Sequence, residues 1–251
     1  MAATIHLIRH GQAAFGAADY DRLSDLGREQ SRLLGIALAP LAGEGDVAIC
    51  GGMRRHRQTA EECLSAIAQS QADPSPSPAS GRGAGVRASK IAADQTDPRW
   101  NEFDHTQILA RHAPEYTDHD QLVAHLSAQP DPRRAFQTLF AAAMTRWCDG
   151  RYDSDYDETW PAFQARCVAA AHAAAIAAGD SGNVWVFTSG GPIAAVAQHL
   201  LQVSDAQALR LSWTLVNASH TQLHVAASGL RLSTFNGHAH LYAREGLITY
   251  R

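Results

Sequence analysis

With 251 residues, 45% of them hydrophobic and a net charge of −4, the chain is long enough for one large domain or two small ones and can bury a substantial core. No segment gathers the lysine and arginine of a nucleic-acid or membrane footprint, so neither partner is expected. No apolar run approaches the ~18 residues that a membrane-spanning helix needs. The four cysteines (Cys50, Cys63, Cys148 and Cys167) form no Cys-x-x-Cys pair, so reduced thiols are expected rather than a zinc or redox site. An apolar strand starts almost at once, which argues against a leader peptide and for the cytoplasm.

That first strand, Thr4-Ile5-His6-Leu7-Ile8, breaks at Gly11. Ser24 or Asp25 opens a helix whose apolar positions Leu26, Leu33, Leu34, Ala37, Leu38 and Leu41 keep helical spacing. Asp46–Cys50 reads as a short buried strand ending at Gly51-Gly52, and Arg54–Ala68 as a helix. Strand, helix, strand, helix predicts a largely parallel sheet covered on both faces. From Ser70 to Gly85 proline, serine, alanine and glycine predict an exposed loop, before a strand at Val86–Ala92. Residues 99–157 read as a helical insertion over one end of the sheet. Within it Phe136, Leu139, Phe140, Ala143, Met144 and Trp147 mark a strongly amphipathic helix. Thr159 caps an alanine-rich helix to about Ala178. Asn183–Thr188 is a strand, Ile193 to Leu201 a helix, and Ser219–Ala226 with Leu230–Phe235 an antiparallel pair at one edge. Trp185 and Trp213 read as core or edge packing. One domain over 1–251, a three-layer α/β/α sandwich, accounts for the whole pattern.

Ligands of open α/β sheets bind at the carboxyl ends of strands. Three such ends carry Arg9-His10-Gly11, Gly51-Gly52 followed by Arg54-Arg55-His56-Arg57-Gln58-Thr59-Ala60, and Ser189-Gly190-Gly191 before a helix. Together they offer an imidazole, guanidinium forks that match phosphate oxygens, and a helix start with unpaired N–H groups. The alternative for Arg9 and Arg55 is surface salt-bridging. His56 and Arg57 read as helix surface or pocket rim. His238 and His240 read as structural histidines rather than metal ligands.

Leu7-Ile8-Arg9-His10-Gly11 resembles the signature of the histidine phosphatase superfamily, which includes the phosphoglycerate mutases. Leu23–Gln30, Arg55 with Gln58-Thr59-Ala60, Arg99–Phe103, Glu158-Thr159 with Arg166, and Gly190–Ile193 are similar to further segments of the family in the same order. The resemblance implies a phosphoglycerate mutase-like fold and a small phosphorylated substrate. It implies His10 as nucleophile, Glu102 as proton donor with Asp104 as rival, Arg9 and Arg55 as phosphate ligands, and neither metal nor cofactor. Ser189 stands where the family pattern has a histidine, beside Gly190. Either Ser189 with the glycine amides suffices, or His220, at the start of a late strand beside the first, restores the imidazole. The stretch Ala13–Tyr20 lacks the tryptophan-rich segment of the mutases, which favours hydrolysis over mutase chemistry. The serine also admits a relative that binds phosphorylated ligands without turnover.

Overall fold

The computed structural model describes residues 3–14, 21–72, 91, 95–179 and 182–250. In chain order they form β1 (Thr4–Arg9), α1 (Asp25–Leu38), β2 (Val47–Cys50), α2 (Arg54–Ala72), β3 (Gln95–Thr96), α3 (His105–His112), α4 (His119–Ser127), α5 (Pro132–Cys148), α6 (Trp160–Ala178), β4 (Asn183–Thr188), α7 (Gly190–Leu201), α8 (Asp205–Thr214), β5 (His220–Ala226) and β6 (Gly229–Gly237). Among the described residues the sheet has six strands in the order β3-β2-β4-β1-β5-β6. The first four in that order run parallel, and β5 and β6 join antiparallel at one edge.

Every residue of β1 is buried, as the near-continuous apolar run of a strand covered on both faces requires. Ile5, Leu7, Val184 and Val186 meet the layer of α6 and α7. Ile8, Trp185 and Phe187, with Ala48 and Cys50, meet α1 and α2 on the other face. Helix, sheet and helix therefore make the three layers expected of a phosphoglycerate mutase-like α/β fold. Helix starts follow the caps read from sequence: Ser24 accepts from Gly27 N and Thr159 from Ala162 N. The alanines of α6 (Ala170, Ala171, Ala174 and Ala178) are buried because small side chains let helix and sheet approach closely. In α5, Ala143, Met144 and Trp147 are buried, with Phe136, Leu139 and Phe140 partly so. Trp147 packs on Phe103, Trp160 and Phe163, which seats the helical insertion at the sheet's end.

Some expectations change. α2 runs on to Ala72, four residues past its expected end, because Gln71 Nε2 donates to the carbonyls of Ala39 and Ala42. The rest of the Ser70–Gly85 loop, and the Val86–Ala92 strand apart from Ile91, lie outside the described residues. Leu41 closes a 3-10 turn, exposed, instead of extending the apolar stripe of α1. The strand β3 and the helix α8 were not expected. α8 starts on a capping box, Ser204 with Gln207, and carries Trp213, which is exposed and not core. Among the described residues no helix is long and apolar enough to cross a membrane.

On the α1–α2 face His6 is sandwiched between Trp185 and His220, with ring centroids 4.2 and 5.0 Å away, and its Nδ1 lies 2.8 Å from His220 Nε2. Burial pushes His6 down to about 4 and His220 down to about 3, so both rings are neutral. Their unfolded counterparts take up protons near pH ~6.5. Stability is therefore complete above that pH and falls as pH drops towards the folded values, because the unfolded chain then binds more protons. Urea midpoints should decline between pH ~6.5 and ~4, and His220→Phe should flatten that decline. An unaltered slope in the variant would show that this stack does not set the acid sensitivity.

Candidate active site

His10 leaves the end of β1 with its backbone tied on both sides. Its N–H donates to Thr188 O at 2.9 Å, and its carbonyl accepts from Ala218 N at 3.1 Å and Asn217 Nδ2 at 3.3 Å. Its Nδ1 lies 2.7 Å from the Gly11 carbonyl. A carbonyl only accepts, so Nδ1 carries the hydrogen and Nε2 is the bare, nucleophilic nitrogen. Burial, then the charges of Arg55 and Arg9, hold the ring's pKa well below 6.5, so it is neutral.

The turn at His10 is braced by α2. Thr59 Oγ1 accepts from Gly11 N at 3.1 Å and donates to Arg55 O at 2.8 Å, while Gln58 Oε1 accepts from Leu23 N at 2.8 Å. The Gln58-Thr59 pair thus fixes the turn. Arg55, buried in the first turn of α2, pairs through Nη1 with Asp21 Oδ1 at 2.8 Å, and Asp21 also accepts from Arg54 N. Arg9 donates from Nη1 to Leu215 O and from Nη2 to Tyr250 O at 2.8 Å. Both guanidinium groups act on His10 and on Glu102, so the two arginines, the imidazole and the carboxyl share one region of field.

Glu102 follows a 3-10 turn, Pro98–Trp100, whose position Arg166 secures. Arg166 pairs with Glu158 and donates to the carbonyls of Arg99 and Asn101 at 2.7 and 2.8 Å. Glu102 Oε2 accepts from Gly191 N at 3.1 Å and Oε1 from Phe103 N at 3.3 Å. A methyl group on Gly191 would lie 2.0 Å from Glu102 Oε1, so the glycine is what lets the carboxyl reach this turn. Burial is the largest influence on Glu102 and raises its pKa, favouring the proton-bearing form. Asp104, the rival, accepts from Thr106 N and Gln107 N as the cap of α3, exposed.

Ser189 follows β4 as the N-cap of α7, and Gly190 opens that helix, where helix N–H groups and dipole favour an anion. The imidazole at this turn is not His220. Although β5 lies antiparallel to β1 with His220 beside Ile8, the His220 ring turns back onto His6. The imidazole here is His56, which is wholly buried rather than at the rim. Its ring centroid lies 5.8 Å from that of His10, and its Nε2 lies 2.7 Å from Ser189 Oγ. Asp21, His56 and Asn217 were missed as site residues. Only His56 left a signal in the sequence, a polar residue on the inward side of a helix start. His238 Nδ1 rests on Asn236 O at 2.6 Å, and among the described residues no three His, Cys, Asp or Glu side chains gather to hold a metal.

Comparison with known proteins agrees with this fold. No curated protein sequence matches the chain. Solved structures similar in fold include a Bacillus anthracis phosphoglycerate mutase (TM-score 0.57, 18% identity, 95% of this chain and 94% of that one). A Bacillus stearothermophilus protein, YhfR, aligns at TM-score 0.60 and 15% identity over 94% and 98% of the two chains. A mycobacterial glucosyl-3-phosphoglycerate phosphatase aligns at 0.55 and 19% over 95% and 100%. The family model described as histidine phosphatase superfamily (branch 1) matches residues 5–75 and 95–238, and with His10, Arg55 and Glu102 all inside those spans, the chain belongs to that superfamily.

Proposed function

We propose that the protein is a phosphatase that hydrolyses small phosphomonoesters through a phosphohistidine on His10, with no metal ion in the cycle. The observation that carries this reading is the bare Nε2 of His10 in the field of two buried arginines, which also act on a carboxyl whose burial favours its acid form. In the first step Nε2 attacks phosphorus, the bond to the ester oxygen breaks, and the leaving oxygen takes the Glu102 proton. As the ring gains positive character, the Nδ1–H bond to Gly11 O strengthens in its favour. Water then attacks phosphorus, passes a proton to the Glu102 carboxylate, and the N–P bond breaks to release inorganic phosphate and neutral His10. Arg9 and Arg55 hold the equatorial oxygens and supply the positive charge that a metal would otherwise bring. Substrate choice falls to the helical layer α3–α5 above the site. Four unpaired thiols suit the cytoplasm.

Acid quenching after exposure to a radiolabelled phosphate ester tests the reading. Wild type should hold an acid-labile, base-stable phosphate that His10→Ala lacks. Binding without labelling would mean a protein that does not turn over, and transfer to a second substrate rather than water would mean a mutase.

The role of Glu102 has its own signature. Glu102→Gln should slow alkyl phosphates by ~10²-fold or more and esters of acidic phenols by under ~10-fold, because good leaving groups need little protonation. The pH profile of kcat/KM should fall as pH rises through the raised Glu102 pKa, and fall on the acid side only as pH drops through the depressed His10 pKa. Glu102→Gln should abolish the alkaline limb alone. Asp104→Ala should leave the rate within about twofold while costing about 1 kcal/mol of stability through the lost α3 cap. Equal losses from Glu102→Gln on both ester classes would assign the proton elsewhere.

A further inference from the structure

Gln30 takes no part in the cycle above, yet it is a wholly buried polar side chain whose carboxamide is engaged on both sides. Its Oε1 accepts from Gln12 N at 2.9 Å. Its Nε2 donates to Leu247 O at 2.7 Å and to Thr249 Oγ1 at 2.9 Å. A backbone N–H at one end and a backbone carbonyl at the other leave the carboxamide one orientation. Thr249 Oγ1 therefore receives a hydrogen from Gln30 and gives its own to Asn217 Oδ1 at 2.9 Å, while Asn217 N donates to Thr249 O at 2.8 Å. Asn217 Nδ2 then donates to the His10 carbonyl at 3.3 Å. The donors point one way round a loop that starts at Gln12 N and returns to His10 O, so it encloses His10-Gly11-Gln12.

A trans peptide holds its N–H and C=O in one plane, pointing opposite ways. By drawing the Gln12 N–H to one side, Gln30 aims the Gly11 carbonyl to the other, where His10 Nδ1 lies 2.7 Å away. Helix α1 brings Gln30 this close because Gly27, on the same face one turn earlier, has no side chain. A methyl group on Gly27 would lie 2.1 Å from Gln12 O.

We propose that Gln30 is a positioning residue: held by Leu247 and Thr249, it fixes the Gly11–Gln12 peptide, whose carbonyl keeps the hydrogen of His10 on Nδ1 and leaves Nε2 free to attack. Helix α1 and the segment Leu247–Thr249, more than two hundred positions apart, thus act on the ring through one peptide group. Linked donors of this kind polarise one another, which strengthens the bonds at both ends of the loop. The effect on turnover rests on the phosphatase reading; the effect on the ring hydrogen does not.

Nitrogen-15 spectra of histidine-labelled protein at pH ~8, where imidazoles are neutral, show which ring nitrogen carries the hydrogen and need no substrate. His10 is assigned by the signals that His10→Ala loses. Wild type should show a protonated Nδ1 and a bare Nε2. In Gln30→Met, which keeps the length and loses the bonds, Nε2 should move towards its protonated shift. Its kcat on an aryl phosphate should fall ~10- to 10²-fold, the loss of one bond to a ring that gains charge. KM and inhibition by inorganic phosphate should stay within about threefold, because the arginines are untouched. Thr249→Val removes the hydroxyl alone and should lose ~2- to 10-fold in kcat, with a smaller shift of Nε2 in the same direction. Thr249→Ser should restore both. Truncation is avoided because it would also release Arg9 Nη2 from Tyr250 O. A folded Gln30→Met with an unshifted Nε2 overturns the proposal, whatever its kcat, and so does a wild-type ring with its hydrogen on Nε2. If Gln30→Met does not fold, Thr249→Val decides: a shift that serine reverses upholds the proposal, and an unshifted ring overturns it. A wild type that forms no phosphoenzyme ends the phosphatase reading, while Gln30 is still judged on the ring.

Discussion

The bond from His10 Nδ1 to the Gly11 carbonyl decides which ring nitrogen keeps its lone pair, and the rest of the site depends on it. A residue bonding to its own neighbour's carbonyl needs the backbone there held firmly, and the surrounding structure supplies that. Thr59 grips the Gly11 amide from α2, β4 takes the His10 N–H, and the turn before β5 donates twice to the His10 carbonyl. Three separate parts of the chain thus fix one ring.

The electrostatics follow from burial of opposed charges at the carboxyl edge of the sheet. Arg9 and Arg55 are both buried, and each is met by acceptors: two carbonyls for Arg9, the Asp21 carboxylate for Arg55. Desolvation works on His10 and Glu102 in opposite senses, removing charge from both. The pair therefore rests in the two protonation states that a proton-assisted displacement consumes, a neutral base and a neutral acid, with the cationic charge kept on groups that do not titrate.

Local signals made much of this legible in the sequence. β1, β4 and α5 could be read because apolar period and turn residues agree there, and Ser24 and Thr159 could be read as caps because capping is settled within three residues. Arg55, Glu102 and the glycine turn followed from matched segments. α8 escaped notice because its apolar face is weak, with only Ala208 and Leu209 buried. The imidazole beside Ser189 was sought in the wrong place for a physical reason. Strand pairing correctly set His220 beside β1, but pairing does not say which way along the sheet a ring leans. The bond between His56 and Ser189 spans 133 positions, and no local rule reports such a contact.

β1 lies inside the sheet, between β4 and β5, so that Thr4 pairs with Asn183 on one side and His224 on the other. A growing chain makes this strand long before either neighbour exists. Until then it presents two unpaired edges and an apolar surface, the condition under which strands find the wrong partner. The distance in sequence also makes closure of the sheet's centre slow compared with formation of the α1–α2 pair. During synthesis His10 is therefore made well before the two strands that set it in place.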